Sequence, residues 1–193
     1  MSDEKKAGDN KVVQAGNVVN GDVAGRDINH NHFSQKQTYM GALIEKFKKE
    51  LKSNSKISAT VDQLKHYQAT NPNVPTEFLG LEKKLELASR QSEVMSAMEK
   101  KERFAKRLAM YEFYESAQCI YAFLMGEIEV KFEQHITPLI KAGAEKQVID
   151  SAIEEKVLDP VVKQLEENVL GLHKPEIKGM LFFITGNCHV RWD

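Results

Sequence analysis

Apolar side chains recur at Val13, Val18, Val23, Ile28 and Phe33, a strict spacing of five, and beyond Met40 the spacing changes to threes and fours. The two textures predict two kinds of structure. A period of five fits neither the helical period of about 3.6 nor the strand period of about 2, but it does fit a short extended piece followed by a turn, repeated. Asn17, Asp22, Asp27 and His32 precede the later apolar positions, and most are types whose side chains bond nearby backbone in turns. Asn20-Gly21 and Ala24-Gly25 are predicted corners, because glycine takes positive φ at little steric cost.

From Met40 the pattern is helical. Met40, Leu43, Ile44, Phe47 and Leu51 form one amphipathic stripe, with Glu45, Lys46, Lys48, Lys49 and Glu50 on the other face. A second helix is predicted through Ile57, Val61 and Leu64, stopped by Asn71-Pro72-Asn73-Val74-Pro75. A third opens near Thr76 and runs through Phe78, Leu81, Leu85 and Leu87. From there to Ile136 no proline intervenes and Gly126 is the lone glycine, so one or two long helices are expected. Val94, Met95, Met98, Phe104, Leu108, Tyr111, Tyr114, Ile120, Phe123 and Leu124 give that stretch an apolar side dense enough for the centre of a bundle. Thr137-Pro138 opens a short segment, and Val148, Ile149, Ile153, Val157 and Leu158 continue the helical spacing. Asp159-Pro160 reads as a restart, followed by the stripe Val161, Val162, Leu165, Val169 and Leu170 and closed by Gly171. Pro175 opens a last helix toward Gly179. The predicted fold class is mainly α: a helical bundle with a short N-terminal β-solenoid-like or β-strand repeat element.

The repeat resembles the pentapeptide-repeat β-helix over residues 10–34, with Gly16-Asn17-Val18-Val19-Asn20 and Gly21-Asp22-Val23-Ala24-Gly25 as its best units. That family prefers a small residue two before each central apolar one; Gly16 and Gly21 fit, Lys11 and Arg26 do not. Solenoid units bury their apolar edge only against stacked neighbours. Residues 10–34 are therefore expected to self-associate through Val13, Val18, Val23, Ile28 and Phe33, making the chain a homo-oligomer. The plainer reading is a flexible Gly/Asn tail, against which the regular apolar period argues.

Composition narrows the function classes. At 193 residues and 41% hydrophobic, the chain can bury a core. Lys+Arg 27 against Asp+Glu 28 leaves a net charge of −1, so no global field draws nucleic acid or an anionic membrane. A local patch remains: Lys100, Lys101, Arg103, Lys106 and Arg107 are the candidate nucleic-acid contact, with Tyr111, Phe113 and Tyr114 beside them. Glu99 and Glu102 interleave with that run, as Glu45 and Glu50 do with Lys46, Lys48, Lys49 and Lys52, which favours solvated, salt-bridged faces. Cys119 and Cys188 are too few for a disulfide framework, and the polar start MSDEKKAGDN has no signal-peptide apolar stretch. No apolar run reaches the roughly 20 residues of a bilayer span. A cytoplasmic protein with no membrane contact is expected.

The chain contains no GxxxxGK[ST], GxGxxG, HExxH or GxSxG motif. Cys188-His189, with His173 upstream, is the nearest approach to a thiol or metal site, but structural zinc takes four ligands and few others lie near. His30 and His32, two residues apart in the repeat, are better read as exposed turn residues. No catalytic residue, metal or cofactor is expected.

The final stretch Met180-Leu181-Phe182-Phe183-Ile184-Thr185-Gly186-Asn187-Cys188-His189-Val190-Arg191-Trp192-Asp193 is too apolar for a frayed tail and holds the single tryptophan. Together with Gly21 to Asn29 it resembles the C-terminal domains of bacterial ABC-three-component conflict systems, over residues 175–193 and more weakly over the helices before. The resemblance implies a partner SMC-like ABC ATPase that senses invading phage or plasmid DNA, with other subunits acting as effector or adaptor. Ahead of the domain stands the repeat rather than a nuclease or protease, so an adaptor role follows. Thr185, Asn187, Cys188, His189, Arg191 and Trp192 are the expected docking residues, Arg191 and Trp192 foremost; alternatively, Trp192 simply closes the bundle.

The expected organisation is a disordered start (1–9), a self-associating repeat (10–34), a helical domain (35–174) and a docking tail packed on the helices (175–193). The expected function is a non-enzymatic oligomeric scaffold of a bacterial defence complex, its protein partners an ABC ATPase, an effector or both, with nucleic acid reached through the complex. The rival readings are a nucleic-acid module using residues 100–107 and a thiol or metal effector centred on Cys188 and His189.

Overall fold

A computed structural model describes residues 12–14, 17–19, 37–74, 80–165 and 167–192. The chain divides into two compact units, 1–37 and 38–193. In the first, β1 (Val12–Gln14) and β2 (Asn17–Val19) pair antiparallel, with Val13 opposite Val18. The start at 1–9, the repeat positions Val23, Ile28 and Phe33, and both His30 and His32 lie outside the described residues.

The second unit is mainly helical. α1 (Tyr39–Ser53) begins where the Thr38 hydroxyl accepts from the Gly41 N–H at 2.9 Å and ends on Asn54 in the left-handed region. Met40, Leu43, Ile44 and Phe47 are buried as the stripe requires, but Leu51 is exposed and Glu50 turns inward instead. The Glu50 carboxylate accepts from the Ser116 N–H at 3.2 Å and from the Ser116 hydroxyl. It thereby supplies an anion to the start of α5 (Glu115–His135), which has no side-chain cap from its own N-cap residue.

The second predicted helix starts later than its apolar spacing suggests. Ile57 lies outside any helix, its N–H donating to Phe113 O at 2.8 Å, and α2 spans only Asp62–Gln68. Gln118, buried on α5, holds the connection before α2: its Oε1 accepts from the Val61 N–H at 2.6 Å while Nε2 donates to Ala59 O and Glu112 O. α3 is Leu81–Leu87, and the expected start at Thr76 and Phe78 falls outside the described residues. The proline-free stretch makes two long helices, α4 (Val94–Met110) and α5, joined by a corner without glycine or proline. Tyr111 and Tyr114 pack edge-on against Phe47 at 5.6 and 5.7 Å, and these contacts fix the corner.

α6 (Thr137–Lys141) opens on Pro138, as predicted. Asp159-Pro160 is not a restart. α7 (Lys146–Ala152) runs through a π turn at Ile153–Leu158 into α8 (Asp159–Lys163), with the Asp159 N–H donating to Glu154 O, five residues back. The wider turn accommodates a residue that has no N–H and whose ring would crowd an α ladder. α8 then stops well short of Gly171, which lies in the following connection at φ +59°.

The largest departure is the last helix. α9 spans Lys174–Gly186 rather than ending at Gly179, so the first half of the supposed tail is helix interior. Ile177, Met180, Leu181, Phe182 and Ile184 are all buried, because a helix apolar on most sides has no face to give to water. α9 packs tightly on α4: a Cβ on Gly179 would meet the Lys100 carbonyl oxygen at 2.6 Å, so only glycine permits this approach. Among the described residues, no helix is long and apolar enough to cross a membrane.

Candidate functional site

α9 ends in a turn through Cys188, held at φ +69°, where the Cys188 and His189 N–H groups donate to Thr185 O at 3.0 Å and Ile184 O at 2.9 Å. Two buried cations and one indole surround that turn. The Lys84 ammonium, 4% exposed, donates to Thr185 O at 2.6 Å, with Val190 O at 3.4 Å. Positive charge at a helix C-terminus is favoured by the macrodipole. The Thr185 hydroxyl donates to Leu181 O at 2.8 Å and accepts from Trp192 Nε1 at 3.1 Å. Trp192 packs on Phe132 at 5.2 Å, and the Arg90 guanidinium stacks 4.8 Å from its ring centre.

The same turn grips the end of α2. Asn187 donates its side-chain amide to Tyr67 O at 2.8 Å and accepts from the Asn71 N–H at 2.9 Å through its carbonyl. His189 Nε2 lies 3.0 Å from Ala69 O; a carbonyl only accepts, so this nitrogen carries the hydrogen. Its ring packs against His66 at 4.6 Å and Tyr67 at 5.2 Å, and burial holds its pKa below the usual histidine value. Tyr67 in turn donates to Glu129 at 2.8 Å, and burial first, then Glu129, raises its phenol pKa.

Thr185, Cys188, His189 and Trp192 are thus committed to the interior, and Arg191 is the exposed member of the expected docking set. Trp192, 4% exposed, packs between Phe132 and Arg90, as closing the bundle would require. Cys188 is 2% exposed, with its sulfur 3.9 Å from Gly186 O, while the His189 ring is turned to α2. His173 serves elsewhere, as the N-cap of α9, its N–H donating to the Glu176 carboxylate at 3.1 Å. Among the described residues no group of three or more His, Cys, Asp or Glu is gathered to hold a metal. The half-buried Cys119 has its thiol pKa raised, by burial and then by Glu115.

Residues 80–192, from just before α3 to the indole, match the family model for C-terminal domain 9 of the ABC-three component (ABC-3C) systems. The chain belongs to that family. No curated protein and no solved structure matches it. The match leaves out the repeat at Gly21 to Asn29 but takes in far more of the helical unit than residues 175–193. As an ABC-3C C-terminal domain, the chain is a component of a multi-component system, and the match includes Lys84 and Arg90, which hold the C-terminal turn. Both were invisible as site residues in a search for motifs. Lys84 nonetheless left a trace: it lies three residues after Leu81 and next to Leu85, a cation on an apolar stripe.

The basic stretch on α4 splits by contact. Lys100 bonds Ser96, the Lys101 side chain lies where a Cβ on Gly186 would go, and Arg107 donates to Leu170 O at 2.6 Å and Gly171 O at 3.1 Å. Arg103 and Lys106 are exposed. On α1 the cations do form ion pairs: Lys46 joins Glu115 at 2.9 Å, and Lys48 joins Glu45 at 2.8 Å and Glu167. Of the aromatic residues beside the basic run, Phe113 is exposed, whereas Tyr111 and Tyr114 are spent on Phe47.

Proposed function

We propose that this ABC-3C domain protein is a non-enzymatic, cytoplasmic adaptor of a bacterial defence complex, self-associating through its N-terminal repeat and docking an ABC ATPase, an effector or both. The observation that carries the reading is membership of a multi-component system, combined with the packing of Thr185, Cys188 and His189 into the interior. A buried turn that fastens α2, α3 and α9 to one another makes a rigid body, which suits presentation of a surface. Exposed apolar side chains at Leu87, Met95, Met110 and Phe113 offer contact area outside that turn. The pentad spacing of Val13, Val18, Val23, Ile28 and Phe33 supports assembly, since linked weak contacts raise effective concentration without new chemistry.

The test is the mass in solution of the full chain against Val18→Asp/Val23→Asp, with co-purification of an ABC ATPase expressed beside each. The native chain is expected to be oligomeric and to retain the ATPase, and the double variant to lose assembly. Equal masses would end the assembly claim, and an ATPase that never co-purifies would end the adaptor claim. The nucleic-acid reading keeps one supporting observation, the exposed Arg103 and Lys106. Salt-sensitive retention on DNA would favour it.

A further inference from the structure

α4 gives one face to the core and leaves the opposite face in solvent. Ala97, Phe104 and Leu108 are buried, whereas Met95, Glu99, Glu102, Arg103, Lys106 and Met110 are all exposed. At about 100° per residue, the exposed set lies within about 50° of one line along the helix, opposite the buried side. Met95 and Met110, 74% and 67% exposed, are the most exposed large apolar side chains among the described residues. The charges between them are ordered: the two acids come first, the two bases follow, and the halves are complementary about a centre between Glu102 and Arg103. Glu99 stands four residues before Arg103, and Glu102 four before Lys106, a spacing that permits pairing within the helix. Yet among the described residues none of these four takes part in an ion pair, while Lys46 and Lys48 on α1 are paired. All four also lie outside the first and last turns of α4, beyond the reach of the macrodipole, so their order is not helix capping.

We infer that the outer face of α4 docks a second copy of this chain, the two helices running antiparallel across a twofold axis near Glu102 and Arg103. Such an interface uses the same patch twice, so it needs a patch complementary to itself. Antiparallel pairing about that centre sets Met95 against the second copy's Met110, and Glu99 against the second copy's Lys106. Glu102 and Arg103 straddle the axis, Glu102 within a turn of the second copy's Lys106 and Arg103 within a turn of its Glu99. Parallel pairing would instead oppose acid to acid and base to base, which is repulsive. The thioethers supply adaptable apolar contact at each end. Nucleic acid fits the stripe less well, since Glu99 and Glu102 repel phosphate as Arg103 and Lys106 attract it. A single helix face about 22 Å long is smaller than a standard stable interface, so the pairing is weak and salt-sensitive. The inference goes beyond the adaptor reading and does not depend on the repeat.

The experiment measures mass against concentration for the full chain carrying Val18→Asp/Val23→Asp, so that the repeat adds nothing to the result. A monomer at low concentration that becomes a dimer toward about 100 μM is expected, with the dimer lost in high salt. Glu99→Lys/Glu102→Lys makes the stripe wholly basic, and Arg103→Glu/Lys106→Glu makes it wholly acidic. Each should weaken self-pairing by about tenfold or more, because like charges then oppose. Their equimolar mixture should pair one to one at least as tightly as the parent, a rescue that contacts within one helix cannot produce. Met95→Ser/Met110→Ser should also weaken pairing, and it decides alone if a charge variant fails to fold. A parent that stays monomeric up to about 1 mM, charge variants that pair at parental strength, or a mixture that does not pair overturns the inference. Salt-sensitive retention of the parent on DNA without any dimer, abolished by Arg103→Glu/Lys106→Glu, overturns it in favour of nucleic acid. Equal masses for the native and Val18→Asp/Val23→Asp chains, both dimeric, would end the repeat claim and support this face.

Discussion

The turn at 185–192 and the basic run at 100–107 both look like contact surfaces in the sequence, and the fold treats them in opposite ways. The turn goes inside: Thr185, Cys188 and Trp192 are buried and their polar atoms bond within the chain. The basic run divides, with Arg107 bonding backbone carbonyls and Arg103 and Lys106 left in water. An apolar, aromatic ending therefore signals the last piece of a core more than a docking tail, and a run of cations says little until each partner is known.

Mutations should separate the two regions sharply. The largest effect is expected from Trp192→Ala, which removes the ring between Phe132 and Arg90 and leaves the Thr185 hydroxyl without its donor; a loss of about 3–5 kcal/mol by urea denaturation is expected. If it proves as mild as a surface change, the turn is not part of the core.

His189 gives a smaller, pH-dependent effect. Its folded pKa is depressed by burial, so the neutral form is favoured in the fold and the unfolded chain binds more protons as the pH falls below about 6.5. Stability from this residue is present above that value and is lost as the pH falls through the lower folded value, where charging also sets it against His66, with Glu129 opposing. His189→Gln keeps a donor for Ala69 O and should flatten the decline in urea midpoint between neutral and acidic pH. Parallel curves for the two proteins would remove His189 as the cause. The smallest effect is expected from Arg103→Ala with Lys106→Ala, within about 0.5 kcal/mol each as exposed substitutions. A larger loss would mean these cations brace the helix rather than face solvent.

The helical class and the family were legible in the sequence, and so was most of the core. Met40, Leu43, Ile44 and Phe47 announce α1 because their spacing matches one face, and the lack of proline from Leu87 to Ile136 announces α4 and α5. Leu51 misled because spacing cannot tell that the core has ended by that turn, while Glu50 is drawn in by a helix terminus distant in sequence. The length of α9 was hidden because helix ends are read from amphipathic contrast, and a helix buried on most sides has little. The cations that hold the turn were hidden for another reason: Arg90 meets Trp192 only after the chain has folded back across a hundred residues.

The π turn at Ile153–Leu158 has a consequence for how this domain can vary in length. It spends one residue more than the α ladder on either side would use, so removing one residue there restores α register without rotating everything downstream by about 100°, as the same deletion in α4 or α5 would. The restored ladder, however, brings the Pro160 ring against a carbonyl one turn earlier. A single-codon deletion in this stretch and replacement of the proline should therefore travel together among descendants of this sequence.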